Sequence, residues 1–513
     1  MAPQEQPAPR LAHRVMRGVE LNLIGQVASV LIALWLTPLV LRRLGTDGYA
    51  LYTLIGTLLG YLMLLTPGVP VATVRFSAYH QGREERPQVS GVLRLALLIQ
   101  LSAALAGGVI LFAGRGRFTA WFVQASAGVV SSAPAVLAFA AFAAPFYFLF
   151  QLSLNALYGL QRFALYNVMK AAEAACPLAA AAVVLAAGGG LKAVAASFLG
   201  VQALLAVSGL LLLRADFAAG KGLPGRAERR DFISFAGKSA WLQIFWLVIY
   251  QGDRLIIGGF LTLSDLGFYA VSAAIARKFN AFCGVVSDSV MPMMAELKGR
   301  GETERLRNLY LKSTELSLFV VLPVLILSFA LVPQFLTLWL GGDFSLRGTW
   351  PFRLLVLANL AYQWSTLPAN AALSSGAPEL TSALQGVKVI LLLILWPMLV
   401  PRWGISGAAF SLLAAEWAIC PALLTYVHRR LLGISWRTYL AEACARPCLA
   451  ASALAAYAFA ARPFVGSWSS LLLAGALGAL IFYWLGWRLL DEEARSLLRE
   501  RAASKWKAFK GKV

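Results

Sequence analysis

The chain has 513 residues, of which 59% are hydrophobic and 13% are charged, and its formal net charge is +21. A soluble domain of this length cannot hide so much apolar surface from water, so the composition excludes a soluble globular protein and predicts an all-α integral membrane protein. The three histidines lie in polar flanks, and the five cysteines lie in apolar runs where cysteine is usually a small packing residue. This pattern offers no catalytic base and no metal site, and we predict that the protein is not an enzyme.

Fourteen apolar segments of helix length follow one another along the chain. Each can cross a hydrocarbon core about 30 Å thick, and Gly, Pro or charged residues separate them. The predicted transmembrane helices are 19–41, 49–70, 91–112, 133–156, 164–187, 192–213, 239–262, 267–291, 310–339, 350–373, 380–400, 406–427, 441–460 and 468–490. An even number of spans places both termini on the same side of the membrane.

Lys and Arg are concentrated in the loops on the side of the two termini. By the positive-inside rule, this distribution predicts that both termini are cytoplasmic. The high net charge then reflects topology and attraction to lipid headgroups, and it does not indicate nucleic-acid binding. The basic tail 491–513 is predicted to lie either against anionic lipid or in solvent.

An internal repeat relates the two halves of the chain. The segment ending in Tyr49-Ala50-Leu51-Tyr52 aligns with Leu266-Gly267-Phe268-Tyr269 in the equivalent loop. Because each copy holds six helices, the copies insert the same way up, which predicts two parallel six-helix bundles related by pseudo-twofold symmetry about the membrane normal. The predicted organisation is an N-terminal segment 1–18, an N-terminal bundle 19–213, a cytoplasmic linker 214–238, a C-terminal bundle 239–427, two additional C-terminal helices in 428–490 and a basic tail 491–513.

Several short motifs follow one another along the chain, from the first predicted span to the twelfth. They are Arg42-Arg43-Leu44-Gly45, Tyr158-Gly159-Leu160-Gln161-Arg162, Asp253-Arg254-Leu255-Ile256-Ile257-Gly258 and Gly404-Ile405-Ser406-Gly407-Ala408-Ala409. Together they resemble the polysaccharide exporters and O-antigen flippases of the multidrug/oligosaccharidyl-lipid/polysaccharide (MOP) exporter superfamily. The chain departs from the family pattern at Ala50, where Gly is common, and at Thr66-Pro67-Gly68, where the second span usually ends with more acidic residues.

This resemblance implies a flippase in the bacterial inner membrane. Its substrate would be an undecaprenyl-pyrophosphate-linked oligosaccharide, moved from the cytoplasmic to the outer leaflet by alternating access for O-antigen, capsule or exopolysaccharide synthesis. The resemblance implies no cofactor, a coupling ion that is H⁺ or Na⁺, and membrane lipids, a polysaccharide polymerase and glycosyltransferases as partners.

Cationic side chains within the predicted spans are candidates for binding the pyrophosphate. An ionised side chain near the bilayer centre costs roughly 2.5–3.5 kcal/mol on insertion scales, so it is expected to face a cavity or a partner. Arginine suits multidentate contact with phosphate. The candidates for a cationic cleft are Arg254, Arg277, Lys278, Arg353, Lys388 and Lys170. Snorkelling towards the headgroups is the alternative for Arg353 and for one member of the Arg277–Lys278 pair.

Ion coupling requires a carboxylate whose protonation or ion binding differs between transport states. The candidates are Asp253, Glu173, Asp288 and Glu416. For Asp253, simple pairing with Arg254 or with a neighbouring helix is the alternative. Three pairs at helical spacing are expected to neutralise themselves, namely Lys170 with Glu173, Lys312 with Glu315, and Glu442 with Arg446.

Two other functions fit the composition. A multidrug or cation exporter of the same superfamily would be expected to have an apolar, acidic cleft, whereas the charges here are mostly basic. A membrane-embedded polysaccharide polymerase or ligase would need acid and base groups at the outer face. The longest outer loop, 113–132, offers Arg115 and Arg117 but no Asp, Glu or His.

Overall fold

The computed structural model describes residues 8–122 and 126–489, and every regular element in these ranges is a helix. The chain divides into two compact units between Ala270 and Val271. The first unit holds α1 (Ala8–Leu62), α2 (Val69–Gly82), α3 (Arg86–Phe122), α4 (Ala127–Gly159), α5 (Phe163–Ala186), α6 (Leu191–Leu212), α7 (Arg214–Ala218), α8 (Arg226–Phe260) and the start of α9 (Leu263–Gly299).

The second unit holds the remainder of α9 and the C-terminal helices. These are α10 (Thr303–Leu340), α11 (Gly342–Ser374), α12 (Pro378–Tyr426), α13 (Trp436–Tyr439), α14 (Ala445–Ala461) and α15 (Trp468–Leu489). The backbone is non-helical at Gly45 within α1 and at Gly404 within α12, with φ values of 69° and 59°. Only glycine adopts such left-handed conformations without steric cost, so each long helix is two helices joined at a glycine.

Within the described ranges, ten helical segments are long and apolar enough to cross a membrane. Two of them, Leu31–Leu65 and Glu379–Leu432, contain the breaks at Gly45 and Gly404. Helices α9 and α11 are also long but are not among the ten, because polar residues interrupt their apolar runs. The predicted all-α membrane class is thereby confirmed, while the count of fourteen spans and the two six-helix bundles stay predictions.

Helix α8 packs closely on α2 in the first unit. Gly68, just before α2, has φ 78°, and a Cβ atom there would lie 1.9 Å from the carbonyl oxygen of Ala236. The Gly68 amide also donates a hydrogen bond of 2.8 Å to Oε1 of Gln243. This docking of α8 explains why the compact units divide inside α9 and not at the predicted linker 214–238; the division into bundles stays a prediction.

The two C-terminal helices pack on α10 in the second unit. A Cβ atom at Gly478 of α15 would lie 3.0 Å from side-chain atoms of Leu327 and Leu454, and Gly486 lies under the Phe319 ring. Small residues allow this close helix approach, which drives association where lipid replaces water. The core of this region is built around the buried side chains of Tyr310, Leu318, Tyr439, Leu454 and Phe482.

Candidate functional site

Asp253 joins two consecutive helices of the first unit. The hydroxyl of Tyr269 in α9 donates to Oδ2 of Asp253 at 2.7 Å, and the Arg254 amide donates to Oδ1 at 2.8 Å. The carboxylate is only 3% exposed, and Tyr269 is fully buried. Burial of a carboxylate is tolerated only when donors surround it. The bond from Tyr269 holds α8 to α9, and the bond from the Arg254 amide lies within α8.

Arg254, the next residue, reaches from α8 to α1. Its Nη1 donates a hydrogen bond of 2.7 Å to the hydroxyl of Thr57, and its side chain is half-buried. Gln251 lies nearly one turn earlier against Gly60, where a Cβ atom would come within 3.0 Å of Nε2. The α1–α8 contact is therefore polar along one helix turn inside an apolar segment.

The segment around Gly45 in α1 packs against the start of α9, which is the segment that aligns with it in the internal repeat. The carbonyl oxygen of Thr46, beside the break at Gly45, would lie 2.7 Å from a Cβ atom at Gly267. The hydroxyls of Thr46 and Ser264 are 2.9 Å apart and hydrogen bonded. The start of α9, which carries Tyr269, is thus fixed against α1, and this contact helps to place Asp253 and Arg254.

Glu173 of α5 is the second predicted coupling residue that the structure describes. It accepts hydrogen bonds from Nζ of Lys170 at 2.7 Å and from Nε2 of Gln151 in α4 at 2.6 Å. The Lys170 side chain is 54% exposed and the Glu173 side chain is 18% exposed. The predicted pairing of Lys170 with Glu173 is confirmed, and the pair has one member that is accessible and one that is largely enclosed.

Lys388 and Glu416 form a buried ion pair in the second unit. Both belong to α12, and the break at Gly404 folds the two halves of that helix together so that Nζ meets Oε1. The two residues are 3% and 8% exposed. A lysine predicted to bind substrate and a carboxylate predicted to couple ions therefore neutralise each other in this state.

Arg353, Arg277 and Lys278 are the other cationic candidates of the second unit. Arg353 donates from Nε to the carbonyl oxygen of Phe329 at 3.1 Å and stacks over the Phe329 and Trp350 rings. Arg277 and Lys278 are adjacent, half-buried residues of α9. Asp288 is also on α9, but its side chain lies outside the described part of the structure.

An ion pair that the helical spacing did not predict joins α10 to α14. Arg446 of α14 lies 3.5 Å from Glu315 of α10, measured from Nη1 to Oε1. The expected partners at helical spacing were Lys312 for Glu315 and Glu442 for Arg446. The pairs Lys312–Glu315 and Glu442–Arg446 stay predictions; the contact of Arg446 with Glu315 forms because α10 and α14 pack together, and a partner on a neighbouring helix can approach from the buried side.

A histidine cluster beside the predicted cytoplasmic surface was missed by the sequence reasoning. His80 at the end of α2 is 7% exposed, and its ring nitrogens lie 2.6 Å from Glu85 Oε2 and 2.6 Å from Glu228 Oε1. An imidazole can donate from both nitrogens only when it carries both protons, so this arrangement fits an imidazolium between two carboxylates. Glu228 is 148 residues from His80, and no local pattern links them.

His428 was also placed wrongly in a polar flank. Its side chain is fully buried just after α12, where Nε2 lies 3.0 Å from the Tyr310 hydroxyl and the ring packs 4.4 Å from that of Tyr439. Within the described ranges, no group of three His, Cys, Asp or Glu residues could hold a metal ion. These histidines are therefore parts of packed polar clusters.

Replacing His80 with alanine is expected to destabilise the protein by about 2 kcal/mol, because hydrogen bonds to charged groups are each worth roughly 1.5–3 kcal/mol and two carboxylates lose their common donor. Thermal unfolding of the purified protein in detergent, followed by tryptophan fluorescence, measures the effect as a lower melting temperature. Arg83→Gln is the matched control, because Arg83 is more exposed than His80 and its ion pair with Glu85 is longer, at 3.9 Å. Equal melting of the His80→Ala and Arg83→Gln proteins would contradict the assignment.

Comparison with known proteins finds a family model that matches the middle of the chain and solved structures with a similar fold. A family described as "Polysaccharide biosynthesis protein" matches residues 99–345. The "Putative O-antigen transporter" of Shigella flexneri is 22% identical over 392 residues, which cover 76% of this chain and 92% of the relative. Because that relative is matched over nearly its whole length, the similarity extends well beyond a single motif.

Two solved structures share the fold over most of this chain. One, titled "Lipid II flippase MurJ, inward closed conformation", has a TM-score of 0.70 at 13% identity and covers 91% of this chain and 99% of its own. The other, an inward-facing multidrug resistance MATE family transporter of the MOP superfamily, has a TM-score of 0.66 at 13% identity and covers 80% of this chain and 98% of its own. At this identity the likeness concerns the fold.

Proposed function

We propose that the chain belongs to the polysaccharide exporter and flippase family of the MOP superfamily and that it flips undecaprenyl-pyrophosphate-linked oligosaccharide repeat units from the cytoplasmic to the outer leaflet. The observation that carries the proposal is the match over most of its length to a relative named as an O-antigen transporter. Flippases and multidrug transporters share the fold, so the fold alone favours neither. The sequence relatives favour the lipid-linked sugar.

The pyrophosphate is proposed to bind at the cationic residues of the transport path, with Arg254 first among them. Its guanidinium is half-buried inside an apolar helix and donates to the neutral hydroxyl of Thr57. A phosphate oxygen could replace that hydroxyl as acceptor and would form a charge-assisted hydrogen bond, which is roughly twice as strong as a neutral one. Arg254 would then hold the charged end of the substrate while alternating access exposes it to each leaflet in turn.

Glu173 is the residue that we propose for ion coupling. Asp253 is enclosed and already accepts from Tyr269 and from a backbone amide, so it is better suited to hold α8 against α9. Glu173 instead pairs with a lysine that is more than half exposed. Neutralisation of Glu173 by H⁺, or its binding of Na⁺, would release Lys170 and link the ion gradient to the state of the helix pair α4–α5.

Glycosyltransferases that assemble the repeat unit would supply the substrate at the cytoplasmic leaflet, and a polysaccharide polymerase would consume it at the outer leaflet. Both termini are then cytoplasmic, as the distribution of Lys and Arg predicts. No covalent bond of the substrate changes during flipping, which agrees with the expectation that the protein is not an enzyme.

The proposal is tested with purified protein in liposomes that contain a fluorescent undecaprenyl-pyrophosphate-linked oligosaccharide in one leaflet. Transfer to the opposite leaflet is measured with and without an imposed H⁺ or Na⁺ gradient, against protein-free liposomes. Efflux of a cationic dye is measured in the same preparation. Dye efflux without lipid transfer would reject the flippase and favour the multidrug alternative.

Replacing Glu173 with glutamine is expected to make the flipping rate insensitive to the imposed gradient, because the amide can neither take up a proton nor offer a negative oxygen to a cation. Flipping without a gradient is expected to continue. Glu379→Gln is the matched control, since Glu379 is an exposed acid in the first turn of α12. If Glu173→Gln responds to the gradient like the wild type, coupling resides elsewhere.

A further inference from the structure

Two arginines and two phenylalanines of the second unit form a row of side chains. The two phenylalanine rings lie between the two arginines. The Arg353 guanidinium lies over the Phe329 ring at 5.2 Å, the Phe329 ring meets the Phe459 ring edge-to-face at 6.4 Å, and Arg462 lies over Phe459 at 5.2 Å. These contacts connect Arg353 of α11, Phe329 of α10, Phe459 of α14 and Arg462 directly after α14. Cation–π contacts of this kind fix the guanidinium planes without neutralising their charge.

Neither of these two arginines has a carboxylate partner within the described ranges. Arg353 donates from Nε to the carbonyl oxygen of Phe329, but its Nη2 is buried and has no hydrogen-bond partner. Arg462 is linked to Arg353 through the two phenylalanine rings, so two positive charges belong to one small cluster. Holding two cations close together is costly unless an anion joins them, because like charges repel.

The depth of the pair in the membrane follows from the turn between α14 and α15. Phe335 of α10 packs against Trp468 at the start of α15, so the turn lies level with this part of α10. Large aromatic side chains are exposed around it, with Trp350 61%, Phe464 81% and Trp468 44% exposed. Tryptophan is enriched at membrane–water interfaces, where the phosphates of lipid headgroups lie, so Trp350 and Trp468 beside the turn favour a position of the pair at such an interface.

From this arrangement we infer that Arg353 and Arg462 bind the phosphate of an anionic membrane lipid that stays with the protein and is not transported. The phosphate would accept hydrogen bonds from both guanidiniums, including the unpartnered Nη2 of Arg353, while its acyl chains lie along the apolar surfaces of α10 and α14. The charge distribution of the loops predicts that this is the outer surface. The site goes beyond the proposed flipping activity and does not depend on it.

The test uses the full-length protein in detergent, with bound lipid counted by native mass spectrometry. Phosphatidylglycerol is titrated into the wild type, the double variant Arg353→Gln with Arg462→Gln, and the control Arg115→Gln. Arg115 also stacks on a phenylalanine ring and donates to a carbonyl oxygen near the predicted outer surface, but it is a single arginine. We expect the double variant to bind phosphatidylglycerol at least fivefold more weakly and the control to bind it like the wild type.

Three further measurements distinguish binding of a lipid phosphate from binding of free phosphate, and loss of binding from a folding defect of the double variant. Phosphatidylcholine, which has no net charge, is expected to bind less, and millimolar inorganic phosphate is expected not to displace the lipid. The double lysine variant, which keeps both charges, is expected to retain part of the binding. Equal binding by wild type and double glutamine variant overturns the inference, and displacement by inorganic phosphate overturns the assignment to a lipid.

Discussion

Replacing Arg254 with alanine is expected to lower the rate of proposed flipping by about one to two orders of magnitude while the protein still reaches the membrane. A hydrogen bond to a charged group contributes roughly 1.5–3 kcal/mol, and each 1.4 kcal/mol corresponds to about a factor of ten. The substitution removes the donor that holds Thr57 now and, in our proposal, the pyrophosphate during transport. Reconstituted protein with leaflet-resolved detection of the lipid-linked sugar measures the rate.

Three further variants separate substrate binding from helix packing. Thr57→Val removes the neutral acceptor but leaves the guanidinium, so its flipping rate is expected to stay within a few-fold of the wild type. Arg254→Lys keeps the charge but loses the planar fork that suits phosphate, and an intermediate rate is expected. Arg42→Ala, at an exposed position of α1 shortly before the break at Gly45, serves as the control for the loss of an arginine. Wild-type flipping by Arg254→Ala at normal membrane levels would remove Arg254 from the substrate path.

The internal repeat explains where Arg254 lies but not why it is charged. The contact between Thr46 and Gly267 shows that the aligned segments around Gly45 and Tyr269 form one packed region. In the first copy, the positions equivalent to Asp253 and Arg254 are Leu36 and Thr37. The repeat therefore requires no charge at these positions: Asp253 serves to hold α8 against α9, and our proposal assigns the charge of Arg254 to substrate binding.

The sequence was sufficient for features that depend on local order. Apolar length predicted the membrane helices, and the three-residue spacing predicted the contact between Lys170 and Glu173. The sequence was insufficient where a partner comes from a distant helix, as with His80 and Glu228 or Arg446 and Glu315. Periodicity defines the faces of one helix, whereas the choice of a neighbouring helix depends on packing that no short pattern encodes.

The ion pair of Lys388 and Glu416 was partly predictable from the sequence. The residues are 28 positions apart, which no single straight helix can bring together, but the break at Gly404 folds α12 into a hairpin. The motif Gly404–Ala409 was visible in the sequence as part of the family resemblance. Its consequence for Lys388 was not, because the resemblance does not say which side chains meet across the break.

Removing one member of this pair is expected to be the most destabilising single substitution discussed for this protein. Glu416→Gln leaves the ammonium group of Lys388 buried without its counterion, and breaking a buried pair in this way typically costs about 3–5 kcal/mol. We expect a large fall in the melting temperature and in the amount of protein recovered from the membrane. Lys170→Met is the control, because it breaks an ion pair whose lysine is 54% exposed, and exposed pairs contribute about 0–1 kcal/mol.

The double variant Lys388→Met with Glu416→Leu separates stability from transport. Replacing both members of a buried pair with apolar residues of similar size is often neutral for stability, so the double variant is expected to melt close to the wild type. Because both residues are almost inaccessible in this state, we also expect it to flip the lipid-linked sugar at the wild-type rate and to respond to the ion gradient. A stable double variant that has lost gradient-driven flipping would instead assign ion coupling to Glu416, and one that no longer flips at all would return Lys388 to the substrate path.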